Sequence, residues 1–283
     1  MPSEGILYIA TGNQFIKEAR ISAQSVTDQM PDVPIAIITD KEINYPVFDE
    51  TIVVDDPEYG FPDQLEYTVK SPYNRTIRLD TDIYVKKSIY EVFDVLEGFD
   101  IAATHNHNRN AYEVAGVPDS FPEYNGGVLA YNNTPEWSSF ISDWRRHYKD
   151  LRTEQETQVQ PALRKALYES DLRIATLPSE YNLMLRYAGH AYGDIKVFHG
   201  RLIDIDTPGS PVKHNIDRAV EKINSESDHR VFIQKHELNG REIVVYTDQA
   251  TLPHRLRSSI ERDGIRGTVL QIFKRLLDLL PMT

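Results

Sequence analysis

Asp80 and Asp82 stand one residue apart, directly after the apolar run TIRL. On an extended segment, side chains two apart point the same way. Two carboxylates at the open end of a buried strand therefore share one small space. Like charges that close repel, and each raises the other's pKa unless a cation intervenes. Hard oxygen ligands suit magnesium or manganese. A divalent ion held there can bridge to a diphosphate and stabilise a leaving phosphate. A bare D-x-D is also common as a surface pair capping the next helix. Its place after a strand favours the chemical reading, because open α/β sheets bind ligands outside the carboxyl ends of their strands. His199 follows the apolar run IKVF and precedes Gly200. Imidazole is a reasonable third ligand for manganese. The alternative is a hydrogen-bonded histidine at a strand end, and only the fold can bring His199 to the aspartates.

Other polar residues are read with two meanings each. Asn125-Gly126-Gly127 precedes the apolar VLAY, where glycines allow a backbone to approach a ligand or simply turn. Gln160 and Glu156 are one helical turn apart and can face one cleft, or solvent. Lys70, Arg75 and Arg78 precede the aspartates and could contact phosphates, or be solvated surface charge.

Composition narrows the chemistry. The chain of 283 residues has no cysteine, which excludes a disulfide scaffold, a thiolate nucleophile and a cysteine-ligated metal. Lys and Arg number 31 against 43 Asp and Glu, a net charge of −12. That field disfavours nucleic acid as a partner, and an anionic substrate needs a cation to escort it. The start, MPSEGILYIATGN, lacks the basic and apolar regions of a signal peptide. No run approaches the ~18 apolar residues of a membrane span, so the expected location is the cytoplasm.

The elements that must position these residues alternate. Residues 5–10, 34–39, 51–54, 76–79, 100–103, 127–131 and 195–198 read as strands. Phe15, Ile16, Ala19, Ala23 and Val26 follow helical spacing. A helix end at 65–70 is stopped by Ser71-Pro72, and residues 90–96, 135–151 and 158–168 read as helices, the last with Pro161 in its first turn. Residues 105–124 form a long polar loop, of a length that is usually functional or disordered. The alternation predicts an α/β fold with a mixed, mostly parallel sheet flanked by helices over residues 1–201. After a turn-rich connector, IDTPGSPVKHN, strands at 230–235 and 241–247 flank Asn239-Gly240, a hairpin signal. Val269, Ile272, Phe273, Leu276 and Leu280 then form one apolar stripe. Residues 202–283 thus read as an accessory module, a β-hairpin plus an amphipathic helix.

Taken in order, ILYIATGN with QFIKEARISAQSV, SPYNRTIRLDTDIYV, YNGGVLAYNNT, QPALRKAL, LPSEYN and KVFHGR resemble the GT-A fold glycosyltransferases. The likeness is to the nucleotide-diphospho-sugar transferases that include the glycogenin-like family 8. It spans residues 4–201, and SPYNRTIRLDTD is its most specific piece. It implies that Asp80 and Asp82 bind a divalent cation, Mn2+ or Mg2+, with His199 as third ligand. Ala10, Thr11 and Gly12 would line the nucleotide pocket, and Lys70 would face the donor. Asn125 and Gly126 would contact the donor sugar, and Gln160 would lie near the anomeric carbon. Val159 stands where the family carries an aspartate beside that glutamine, so Glu156 would have to supply the carboxylate. The family's lysine after the metal histidine has no clear match, and Arg201 is the substitute at hand.

The implied activity is transfer of a sugar from a nucleotide diphosphate donor, by resemblance a UDP-sugar, to an acceptor hydroxyl with retention. The acceptor would be a glycan, a lipid-linked molecule or a protein. An inverting enzyme needs a carboxylate base, for which Asp119 and Glu123 stand in the long loop. A sugar nucleotidyltransferase is a rival, but ATGNQFIKE lacks the basic glycine-rich loop such enzymes carry after the first strand. A non-catalytic nucleotide-sugar or sugar-binding protein is another, with Val159 as its support. The stripe within residues 268–283 suits docking or a homodimer contact. A peripheral contact at the inner membrane face is the alternative, although Lys274 and Arg275 against Asp278 make a weakly basic polar face.

Overall fold

The computed structural model describes residues 3–106, 113–152, 158–184, 187–200, 212–225, 230–237, 240–247, 260, 264–267 and 269–270. Chain contacts divide the protein into two compact units, Met1–Tyr246 and Thr247–Thr283. In the first unit the order is β1 (Glu4–Ile9), α1 (Asn13–Gln29), β2 (Ile35–Thr39), β3 (Glu50–Val53), α2 (Phe61–Tyr67), β4 (Arg75–Leu79), β5 (Ile83–Val85), α3 (Glu91–Val95), β6 (Ile101–His105) and β7 (Tyr124–Asn132). It continues with α4 (Pro135–Leu151), α5 (Gln160–Glu169), β8 (Ile174–Leu177), β9 (Leu183–Met184), β10 (Gly189–Ala191), β11 (Val197–His199), α6 (Val212–Asn224), β12 (Arg230–Glu237) and β13 (Gly240–Thr247).

Seven strands form the central sheet in the order β3-β2-β1-β4-β7-β6-β8. Six run parallel, and β7 runs antiparallel between β4 and β6. The mixed, mostly parallel sheet flanked by helices is the architecture the alternation predicts. Parallel strands are covered on both faces, so their sequences are continuously apolar. Alternation of side chains sorts them. Ile6, Tyr8, Ile77 and Leu79 share one core with Ile16, Ala19, Ala23 and Val26 of α1 and Phe93 of α3. Ile101, Ala103, Leu129 and Tyr131 face the other way, against Trp137, Phe140 and Trp144 of α4 and Leu163 of α5. Thr134 caps α4 by accepting from the Trp137 N–H, and Pro135 and Pro161 occupy first turns where a missing N–H is harmless.

Strands β5, β8, β9 and β10 are additional to those read from the sequence, and three further features differ from that reading. The run 195–198 is not a strand of the main sheet: β11 lies in a small sheet, β5-β11-β9, antiparallel to β5. Asn125, Gly126 and Gly127 lie inside β7 rather than in a turn before it. Residues 212–224, whose first part reads as connector, form α6; Ile216, Ala219, Val220 and Ile223 bury one face against Tyr84, Phe198 and Phe232. The expected hairpin strands are β12 and β13, and β12 pairs with β10, so this compact unit extends past residue 201. In the second unit the described apolar residues Ile260, Ile265, Val269 and Leu270 are exposed, and the rest of the expected tail stripe lies outside the described residues. No described helix is long and apolar enough to cross a membrane.

Candidate metal centre

At the carboxyl ends of β1 and β4 lies a cleft of about 550 Å3. Strand β7 runs the opposite way, so its beginning, Asn125–Gly126–Gly127, lies at the same edge. The N-termini of α1 and α5 bring Phe15 and Gln160 to it. Helix N-termini favour negative charge, which suits an anionic ligand.

Asp80 and Asp82 are not on extended backbone. They occupy a turn in which the Ile83 N–H donates to the Asp80 carbonyl at 3.3 Å. Two anchors hold that turn: the Asp80 N–H donates to the Gly127 carbonyl at 2.9 Å, and the Thr81 hydroxyl donates to buried Glu18 at 2.8 Å. Strand β11 then delivers the imidazole. Its register sets His199 opposite Ile83, and the Gly200 N–H donates to the Asp82 carbonyl at 3.0 Å. One ligand atom from each of Asp80, Asp82 and His199 lies within 4.8 Å of the others. His199 Nε2 stands 3.5 Å from Asp82 Oδ1 and 4.0 Å from Asp80 Oδ2.

The ring's tautomer follows from its neighbours. The Gly127 backbone N–H can only donate, and it does so to Asn125 Oδ1 at 2.9 Å. The same oxygen therefore accepts from Asn182 Nδ2 at 2.8 Å. That turns Asn182 Oδ1 toward His199 Nδ1, also at 2.8 Å, so Nδ1 carries the proton. Nε2 is left facing the two carboxylates, where it can ligate a metal. An outer hydrogen bond that fixes the ring in this way is what a metal-ligating histidine needs. The donor set of two carboxylates and one imidazole fits Mn2+ or Mg2+.

Gly127 makes room for this arrangement. A Cβ there would stand 2.6 Å from His199 Nδ1 and 3.0 Å from Asn125 Oδ1. Gly127→Ala is expected to push the ring aside, lose about 1–3 kcal/mol of stability by overpacking, and weaken Mn2+ binding. Unchanged Mn2+ affinity in a titration of this variant would show that the ring has space to spare.

The remaining expected residues divide. Thr11 lines the cleft, and its hydroxyl donates to Asp63 at 2.5 Å. Asp63 also accepts from the Glu58 and Tyr59 N–H groups at 2.7 and 2.9 Å, so it serves as a loop anchor. Gly12 has φ 89°, a backbone glycine adopts easily, and donates to Asp40 at 2.9 Å. Ala10 is buried in the core rather than in the cleft wall. Asn125, Gly126 and Gln160 line the cleft, but the Asn125 carbonyl is already engaged twice.

Lys70 does not reach the cleft. The single helical turn after α2 points it outward, over the Tyr67 ring at 5.2 Å, into a separate depression shared with Arg145 and Lys149 of α4. Arg75 pairs with Glu4 at 2.7 Å. Glu156 and Arg201 lie outside the described residues. Asp119 is exposed, whereas Glu123 is 5% exposed, lines the cleft and accepts from Asn106 Nδ2 at 2.6 Å. Arg78, 2% exposed, lies at the cleft floor; burial holds its pKa below the usual arginine range, and nearby Asp80 opposes that shift. Sequence reasoning missed Asn182 as a participant. Its segment LPSEYN carries a recognisable pattern, but nothing local shows that its amide meets His199.

No family model matches the chain, and no curated protein matches it in sequence. Solved structures match its fold. The galactosyltransferase LgtC in complex with donor and acceptor sugar analogs aligns with a TM-score of 0.54 at 16% identity, covering 73% of this chain and 88% of that one. An active-site mutant of LgtC aligns with the same TM-score and identity, over 76% and 95%. Mouse xyloside xylosyltransferase 1 in its apo form aligns at 0.50 and 14% identity, over 73% and 100%. At such identities the likeness is one of fold, and the fold is GT-A.

Proposed function

We propose that this GT-A chain is a metal-dependent glycosyltransferase. It moves a sugar from a nucleoside diphosphate donor, a UDP-sugar by the family-8 likeness, to an acceptor hydroxyl with retention of configuration. The observation that carries this reading is the convergence of Asp80, Asp82 and a tautomer-fixed His199 in the cleft. Glycan, lipid-linked and protein acceptors all offer the required hydroxyl.

Asp80, Asp82 and His199 would hold Mn2+ or Mg2+, whose charge, when bound, offsets that growing on the leaving diphosphate. The protein's own residues bind and orient. Phe15, Thr11, Asn125, Gly126 and Gln160 line the cleft; in this reading the first two would meet the nucleotide and the other three the sugar. A cleft that fixes an acceptor oxygen against the anomeric carbon makes the encounter effectively unimolecular. Val159, at the start of α5, brings no carboxylate; its carbonyl accepts from Trp144 Nε1 at 3.1 Å. Glu123 is the described glutamate that lines the cleft, and it would meet a sugar hydroxyl there.

A thermal-shift screen of nucleotide sugars with Mn2+, followed by an assay of donor turnover, tests the reading. Native-state binding raises the melting temperature by mass action. Absence of a shift with every nucleoside diphosphate would refute it. Proton NMR of the product's anomeric centre reads the stereochemistry; inversion would recast Glu123 as the base. Val159 favours one second reading, a binder that holds the nucleotide sugar without transferring it. Stabilisation with no turnover is its signature.

A further inference from the structure

Arg78 has a place that the metal centre does not explain. It lies on β4, two residues before Asp80, and is the one lysine or arginine lining the cleft among the described residues. The other charged side chains there are Asp63, Asp80, Asp82 and Glu123, with His199 beside the two aspartates. Its guanidinium is almost fully buried, yet only Nη2 has a partner, the Gly126 carbonyl at 2.8 Å. Nε and Nη1 are buried without a hydrogen-bond partner among the described residues. Buried guanidinium N–H groups without partners are costly, and a bound anion is one group that can complete such a set. A Cβ at Gly126 would stand 3.3 Å from Nη2, so a larger residue there would crowd the group.

We infer that Arg78 is a second anchor for the anionic part of the donor, a fixed positive charge that holds the diphosphate from the sheet side. This rests on the reading that a nucleoside diphosphate enters the cleft. A metal on the aspartates draws the anion from one side. Arg78 draws it from the floor, in surroundings where a charge acts more strongly than in water. The alternative use of the same charge is to hold Asp80 in place, and the two uses predict opposite responses of the metal.

The test measures three affinities in the wild type and in Arg78→Met: bare Mn2+, UDP, GDP or ADP with Mn2+, and the matching nucleoside. We expect the diphosphate to weaken at least about tenfold and the nucleoside to hold. Bare Mn2+ should bind equally or more tightly, because a positive charge beside its carboxylates is gone. Unchanged diphosphate affinity would overturn the inference. Joint weakening of Mn2+ and diphosphate would overturn it in favour of a role through Asp80. Should Arg78→Met not fold, Arg78→Lys carries the same comparison: it keeps the charge but not the fork, so the diphosphate weakens less and Mn2+ holds. A wild type that binds no nucleoside diphosphate refutes the proposed function itself, whereas equal binding by wild type and variant refutes only the role of Arg78.

Discussion

Replacing Asp80 and Asp82 together by asparagine is expected to abolish turnover and to erase the stabilisation that Mn2+ with a nucleoside diphosphate gives the wild type. At a ligand concentration one hundred times its Kd, binding adds about 2.7 kcal/mol to the native state. For a chain of this size that is a melting shift of roughly 5 °C. The double variant leaves one imidazole and two neutral amides, too weak a set for a hard divalent cation. The turn itself should survive, because its anchors to Gly127 and Ile83 are backbone bonds and Glu18 is held by Thr81. The sign of the metal-free effect separates function from structure. Two carboxylates facing one space repel, so without metal the variant should melt at the same temperature as the wild type or higher. Scanning fluorimetry in EDTA and in Mn2+ reads both. A metal-free variant that melts well below the wild type would mean that the aspartates serve the fold.

Asn182→Ala is expected to have the next largest effect. Asn182 is fully buried and joins Asn125 to His199 through two bonds of 2.8 Å. Its truncation leaves the His199 Nδ1–H without its acceptor, and each such buried group costs about 1–3 kcal/mol. The ring then loses both orientation and tautomer preference. Loss of an outer partner typically lowers metal affinity 10–100-fold. Asn182→Asp keeps an acceptor for Nδ1 but sets two oxygens against each other at Asn125. It should therefore retain more Mn2+ affinity than Asn182→Ala while still lowering the melting temperature. Titration of Mn2+ into the three proteins decides it. Equal affinity in all three would show that the backbone alone holds His199 in place.

Much of the fold is legible along the chain. Apolar runs such as ILYIA and IAIIT commit to buried parallel strands because nothing polar interrupts them, and Ser71-Pro72 ends the preceding helical segment through local sterics. The segments read less well are those whose partners are remote. Strand β11 looks from its composition like any core strand, and its membership of the small sheet depends on β5 and β9. The face that α6 buries follows from a spacing of apolar residues that a turn-rich connector partly masks.

The sequence by itself determined that two aspartates end a buried central strand, that no thiol chemistry is available, and that an α/β sheet carries them. Each of these depends on residue type or on periodicity over a few positions. The tertiary structure decided the rest. It turned Asp80 and Asp82 toward His199 through a turn and a strand pairing, and set the imidazole proton through Asn125 and Asn182. It sent Lys70 out to the α4 side and kept Arg78 beneath the cleft. The physical reason is that a side chain's type is local, whereas its direction, neighbours and protonated atom are set by elements that meet only when the chain folds.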